Sequence, residues 1–321
     1  MSPALEQQTM PAQHKAQFSV TWADLGMLFT ALIWGANFTV VKQALTEVGP
    51  MAFVAARFLV AALCLLAMLL LSGENLRIAR RDFLAIIVLT LIGHVGYQAL
   101  FIKGISLTTA SNSSLLLSTT PLFVALLSIV LRTERITPAI GAGIFLAFAG
   151  IALIVGMGTG DLSANVDMLP GNLLTLGAAF CWTLNTLISK PLLNRYSPLK
   201  LTAVTIALAT PCLFVLGSGE VLSQQWASVS LHGWMGVIFS ALFANGIAYV
   251  LWNLSVQKTG STRTAVYSNL VPVIAITVSW LLLGEALGVW QALGAVVTLA
   301  GVTLTRFRPR RPITGPLPQT A

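Results

Sequence analysis

Trp34-Gly35-Ala36-Asn37-Phe38-Thr39-Val40-Val41-Lys42 returns 148 positions later as Trp182-Thr183-Leu184-Asn185-Thr186-Leu187-Ile188-Ser189-Lys190. Trp, Asn and Lys keep their spacing in an otherwise mostly apolar frame. The same shift sets Pro50 on Pro198 and Cys64 on Cys212. Past a three-residue insertion the offset becomes 151, pairing Thr108 with Thr259, Pro121 with Pro272, Glu134 with Glu285, Gly143 with Gly294 and Gly150 with Gly301. Ten coincidences in chain order mark a duplication, so the chain reads as two copies of one unit.

Each copy holds five apolar runs: 24–44, 50–72, 83–104, 111–131 and 137–157, then 169–190, 199–217, 233–255, 263–283 and 287–306. A run of about 20 apolar residues crosses the roughly 30 Å of bilayer hydrocarbon as a helix, whereas barrel strands are about 10 residues long. Composition agrees: 56% of the 321 residues are hydrophobic, 9% are charged, and the mean hydropathy is +0.85. A soluble domain carries roughly a quarter charged residues, so a water-soluble enzyme is excluded. The expected fold is all-α and membrane-embedded, with ten transmembrane helices in two inverted five-helix repeats. Its expected organisation is a cytosolic tail at 1–21, a first repeat at 22–157, an outer linker at 158–168, a second repeat at 169–307 and a cytosolic tail at 308–321.

The net charge of +8 belongs to the loops rather than to a nucleic-acid surface. With the N-terminus cytosolic, 15 of the 18 Lys and Arg residues fall on the inner side, among them Arg77, Arg80, Arg81, Arg132, Arg135, Arg195 and Arg306. That bias predicts N-in and C-in topology in a bacterial-type inner (plasma) membrane. Five spans per copy is odd, so the second copy enters from the opposite side. Such inverted repeats place a site near the midplane, between the halves, and alternate its access. Cys64, Cys181 and Cys212 lie in apolar runs without CxxC or Cys/His spacing, so no metal, cofactor or disulfide frame is expected.

The stretches Trp34-Gly35-Ala36-Asn37-Phe38 and Pro50-Met51-Ala52-Phe53-Val54-Ala55-Ala56-Arg57-Phe58 resemble the first two helices of the EamA family of the drug/metabolite transporter superfamily. Pro121-Leu122-Phe123, Thr133-Glu134-Arg135, Pro272 and Gly284-Glu285 extend the resemblance over residues 24 to 306. It implies a ten-helix secondary transporter, in many members an exporter of amino acids or related metabolites. One departure stands out: the second-half equivalent of Arg57 is Thr205.

All ten carboxylates fall in tails, loops or helix ends, which leaves no Asp/Glu proton relay at the midplane. Intramembrane polar groups are costly and therefore candidate site residues. Trp34 and Asn37, like Trp182 and Asn185, share a helix face at i and i+3 and form either a binding wall or a packing contact. His94, Tyr97 and Gln98 share a face of the third span; Asn245, Tyr249 and Asn253 recur along the eighth. His94 is read as a hydrogen-bonded lining residue or, alternatively, as a proton-coupling group, since imidazole titrates near pH ~6.5.

Pro121 and Pro272 cannot donate to the carbonyls of Leu117 and Ser268, so the fourth and ninth spans are expected to bend there as access alternates. Ser118 and Asn269 accompany them as repeat-related lining residues. Glu134 and Glu285, repeat-related on opposite faces, are read as gate or helix-end contacts. Arg57 lies about 10 Å below the outer surface at 1.5 Å per residue; it could hold a substrate carboxylate, but is expected instead to snorkel outward. With Lys42 and Lys103 it could form a basic vestibule. Gly143, Ala147 and Gly150, and Gly294, Thr298 and Gly301, suit close helix contact within the chain or in a homodimer.

These readings converge on one function: a secondary transporter exporting small neutral or zwitterionic metabolites, foremost amino acids. An importer or exchanger of another metabolite or drug is the alternative; a membrane-embedded enzyme or lipid scramblase is a weaker one. Expected partners are the small-molecule substrate and the lipid bilayer, with proton coupling open and no nucleic acid.

Overall fold

The computed structural model describes residues 22–130, 138–157, 162–259, 264 and 267–306. Both predicted tails and Glu134 lie outside the described residues. Every regular element among the described residues is a helix. In hydrocarbon each backbone N–H and C=O must be satisfied internally, and helices do this within one segment.

The first half begins with α1 (Trp22–Ala44) and α2 (Pro50–Leu71). Helix α3 comprises Phe83–Val88, a π-helical stretch Leu89–Gly96, and Tyr97–Ser106. Helix α4 is broken into Ala110–Leu117 and Thr120–Val130, and α5 is Pro138–Met157. The second half repeats the plan with α6 (Leu162–Leu193) and α7 (Pro198–Leu216). Helix α8 runs Leu231–Phe239, π-helical Ser240–Ile247, then Ala248–Thr259. Helices α9 (Leu270–Leu283) and α10 (Val289–Arg306) complete it. Residues 162–168, expected in a linker, instead extend α6; Leu162-Ser163-Ala164-Asn165 contains no helix breaker.

Local chemistry sets the ends. Pro50 and Pro198 open α2 and α7, where a missing N–H costs nothing. The side chains of Thr109, Ser197 and Ser230 cap α4, α7 and α8 by accepting from Asn112, Lys200 and Gly233 backbone N–H groups.

The halves interlock as an inverted pair: α2 packs on α7, α5 on α10, α1 on α9 and α6 on α4, α3 on α6 and α8 on α1. Exchanging the repeats maps each contact onto itself or its partner. The small-residue stripes of α5 and α10 meet each other inside this chain. A Cβ at Gly301 would stand 2.4 Å from the Ala147 backbone N and 2.6 Å from the Gly143 carbonyl. The two π stretches are each eight residues long and begin at Leu89 and Ser240, 151 positions apart. A π turn bonds i to i+5, so it widens the helix and re-aims the side chains it carries.

Helix α4 turns at Ser118–Thr119, and the chain turns at Ser268–Asn269 before α9. The carbonyls expected to stay open there are satisfied locally. Leu117 O accepts the Thr120 hydroxyl at 2.8 Å, and Ser268 O accepts the Val271 N–H at 3.2 Å. Pro121 and Pro272 are both buried, each just inside the helix that follows its turn.

Candidate functional site

Each face of the bundle is closed by polar contacts between the halves. On the face where α1 ends, three carboxylates reach across to helix N-termini, where the helix dipole favours an anion. Glu47 accepts the Ser230 N–H at 2.7 Å and its hydroxyl at 2.8 Å, at the start of α8. Glu220 accepts the Met51 N–H at 2.6 Å, at the start of α2, and pairs with Lys103. Glu285 accepts the Ala110 and Ser111 N–H groups at 3.2 and 3.1 Å and the Ser111 hydroxyl at 2.9 Å, at the start of α4.

The backbone N–H and hydroxyl of Ser230 hold the Glu47 carboxyl below its usual range. At Glu220 burial pushes the carboxyl up, but Lys103 and the Met51 N–H outweigh it and the net shift is downward. Lys42 donates to the carbonyls of Ile105 and Thr108. With Lys42 and Lys103 both engaged, the expected basic vestibule is not formed. On the other face Arg195 pairs with Asp82, which also accepts the Tyr196 hydroxyl at 2.7 Å, while Glu74 accepts the Ser197 hydroxyl at 2.7 Å.

Between these faces lies a cavity at the junction of the halves, enclosing about 680 Å³ of non-atom space with its open mouth included. Trp34, Asn37 and Phe38 of α1 line it with Arg57 of α2 and Tyr97, Gln98 and Phe101 of α3. Helix α4 adds Ser114, Leu117, Ser118 and Thr120; α6 adds Trp182; α8 adds Ala244, Asn245 and Tyr249; Ser268 and Val271 come from the start of α9. Aromatic rings make up much of the wall. Trp34 and Trp182 meet edge to face at 5.5 Å, Tyr97 lies 5.1 Å from Trp182, and Tyr249 lies 5.3 Å from Trp182. Such pairs fix one another's orientation.

The π stretch of α8 contributes directly. The Trp34 indole N–H donates to the Ala244 carbonyl inside it at 3.1 Å, and the Asn37 amide oxygen accepts the Ser240 hydroxyl at 2.6 Å. A polar chain crosses the cavity wall: Arg57 donates to the Gln98 side-chain oxygen, and the Gln98 amide donates to the Tyr249 hydroxyl at 2.9 Å.

Of the residues expected from sequence, Trp34, Asn37, Tyr97, Gln98, Ser118, Trp182, Asn245 and Tyr249 therefore meet on one cavity. His94, Asn185 and Asn269 stand outside its lining. His94 is buried behind it, 5.6 Å from the Tyr249 ring and 6.4 Å from Phe58. Its Nδ1 has no hydrogen-bond partner, which corrects the expectation of a hydrogen-bonded lining histidine. His94 nonetheless shares Tyr249 with Gln98, whose amide donates to the hydroxyl of that ring. Asn185 packs against Gly93, where a Cβ would come within 2.4 Å of its side-chain oxygen. Asn269 flanks α9 while its neighbour Ser268 reaches the cavity.

Arg57 and Trp252 were not counted among the candidate site residues. Arg57 does not snorkel: it is 1% exposed, with its guanidinium 5.1 Å from the Phe53 ring. The expectation that Arg57 snorkels is thereby corrected, and its side chain joins the cavity lining. Its signal in the sequence was its one-sidedness, since Thr205 holds the equivalent position. Trp252, outside the lining, packs 5.3 Å from Trp34 and 5.5 Å from Trp182, and its i+3 spacing from Tyr249 could have placed it beside those rings.

Residues 21–156 and 169–307 each match the EamA-like transporter family. The chain is 27% identical to the uncharacterized transporter YyaM of Bacillus subtilis over 86% of its own length and 90% of that protein's. It is 31% identical to an uncharacterized transporter of Archaeoglobus fulgidus, covering 87% and 95% of the two chains. A protein of Salmonella typhimurium named as a probable amino-acid metabolite efflux pump is 26% identical, with 88% and 95% covered. A solved crystal structure aligns with a TM-score of 0.65 at 21% identity, over 90% of this chain and 97% of that one. That structure shares the fold.

Proposed function

The chain belongs to the EamA-like transporter family, and on that premise we propose that it is a secondary transporter exporting small metabolites with a carboxylate, amino acids foremost, by alternating access. The observation that carries this reading is the cavity between the halves, lined by side chains of both repeats. A site shared by two inverted units can be opened to either side by rocking one against the other. The repeats at 22–157 and 169–307 are the moving units in this reading, and the carboxylate contacts of Glu47, Glu220 and Glu285 are the latches of one face. Export follows the name of the Salmonella relative; N-in and C-in topology in the inner membrane follows the distribution of Lys and Arg.

The lining offers aromatic faces and hydrogen-bond donors, which bind a solute without making or breaking its bonds. This supports transport over catalysis. The cargo expected from sequence was neutral or zwitterionic; Arg57 in the lining favours solutes that carry a carboxylate.

The test is uptake of a labelled amino-acid panel into proteoliposomes, with and without an imposed pH gradient. Saturable flux that falls at least tenfold in Trp34→Ala, with the folded state retained, supports the reading. Gradient stimulation that disappears in His94→Gln makes His94 the coupling group. No flux of any member from a folded sample refutes the assignment of amino acids as cargo.

A further inference from the structure

The cavity wall built by α2, α3 and α8 carries one guanidinium, that of Arg57, among neutral hydrogen-bonding groups. Arg57 is 1% exposed; beyond its bond to Gln98 its Nε has no partner, and it joins no ion pair among the described residues. Asn245 is 2% exposed and its Nδ2 likewise has no partner. The Tyr249 hydroxyl accepts from Gln98, which leaves its own hydrogen to give. Arg57 and Asn245, each with a buried nitrogen that lacks a partner, and Tyr249, with its O–H to give, thus all belong to the lining of one cavity. Among the described residues no Asp or Glu lines it to balance the guanidinium. A buried charge and buried donors are costly until partnered. The group that would satisfy them is anionic, planar and purely accepting, which describes a carboxylate.

The other wall has different chemistry. Trp34 and Trp182 present ring faces and edges, the Trp34 N–H is already used by Ala244, and the Asn37 oxygen already accepts from Ser240. This wall receives an apolar or aromatic body and carries no acidic partner for an ammonium group.

We propose that the site takes monocarboxylates with an apolar or aromatic body, anchored through Arg57, Asn245 and Tyr249, and that the amino group of an amino-acid cargo is dispensable. The proposal rests on the transporter reading and narrows its substrate class: amino acids become one subset of the carboxylates accepted. A net positive cavity favours the carboxylate alone at least as much as the zwitterion.

Three matched probes separate the two ends of the ligand: L-phenylalanine, 3-phenylpropanoate and 2-phenylethylamine. Binding to the purified full-length protein in nanodiscs is read by quenching of intrinsic tryptophan fluorescence, to which Trp34 and Trp182 contribute from within the cavity. Saturable binding of L-phenylalanine and 3-phenylpropanoate, within tenfold of each other, is expected, with 2-phenylethylamine at least tenfold weaker than both. Arg57→Gln should weaken 3-phenylpropanoate tenfold or more, with Arg57→Lys retaining part of the affinity. Asn245→Ala and Tyr249→Phe provide milder variants should Arg57→Gln fail to fold.

Binding of 2-phenylethylamine as tight as that of 3-phenylpropanoate overturns the proposal. So does the absence of saturable 3-phenylpropanoate binding, or unchanged affinity in folded variants. Proteoliposome flux separates this failure from that of the parent reading. A cargo that moves saturably, without competition from 3-phenylpropanoate and without loss in Arg57→Gln, leaves transport standing and removes the anchor.

Discussion

Replacing Gly150 by alanine should loosen the contact between α5 and α10, and the size of the effect can be worked from the geometry. The added Cβ would sit 2.2 Å from the Thr298 hydroxyl, 2.5 Å from its backbone N and 2.6 Å from the Gly294 carbonyl oxygen. The hydroxyl can rotate away; the two backbone atoms cannot. Ordinary contact begins at 3.4 Å, so the 2.5 Å approach falls short by 0.9 Å and the helices must part by about that much. Overpacking of this kind costs about 1–3 kcal/mol. At roughly 2–4 °C per kcal/mol for a chain of this order of size, the thermal midpoint in detergent should fall by roughly 2–12 °C. Gly141 supplies the control on the same helix, because a Cβ there meets nothing within 4 Å. Gly141→Ala should leave the midpoint unchanged or raise it, since alanine is favoured over glycine in a helix by up to about 1 kcal/mol. Equal midpoints for Gly150→Ala and wild type, or an equal fall in both variants, would refute the close approach of these helices.

Stability should fall with acid through the carboxylates of one face. Glu47 and Glu220 have folded-state values depressed below the usual 4.5, so their stabilisation is in place above that value and is lost as pH drops through the depressed ones. Thermal midpoints between neutral and strongly acidic pH should show this loss, with a flatter slope in a Glu47→Gln, Glu220→Gln double variant. Glu285→Ala removes three acceptor contacts at the start of α4. It should destabilise by about 1–3 kcal/mol, checked by the same midpoint, and an unchanged value would count against the latch. Gly93→Ala should lower transport by pushing α3 from α6, since its Cβ would meet the Asn185 side-chain oxygen at 2.4 Å and its Cβ at 2.9 Å; wild-type flux would show that the contact does not matter. Deleting one residue within Leu89–Gly96 should convert the π stretch to α-helix and turn Tyr97 and Gln98 off the cavity. Flux should then be lost in a protein that remains helical by circular dichroism, and retained flux would refute a role for the wide turn.

The duplication, the apolar runs and the helical class were legible because lipid imposes length and internal hydrogen bonding on every span. Trp34, Trp182, Tyr97, Gln98 and Tyr249 were legible as cavity-lining residues because polar or indole groups deep in an apolar run need a reason to be there. Arg57 was not. Its depth suits snorkelling as well as burial, and only the approach of Gln98 and the Phe53 ring in three dimensions decides between them. His94 misled for a different reason: helical spacing places it near Gln98, but whether it lines the cavity or stands behind the Tyr249 ring is decided by packing in three dimensions. Glu47 and Glu220 carry no motif. Their roles depend on which helix start lies opposite, a fact of tertiary packing that spacing along the chain does not record.

The paired π stretches also bear on ancestry. An extra residue inside a helix is a change of length, and the same change at the same register in both halves is most simply inherited once. On that history the widened turn was already present in a single five-helix protein before its gene doubled. That ancestor would have paired with a second copy lying upside down beside it, each lending its widened helix to a shared chamber. Later divergence then had room to make the halves unequal, leaving Arg57 in one and Thr205 in the other. A five-helix relative sharing the Trp/Asn/Lys spacing but lacking the widened turn would contradict that order of events.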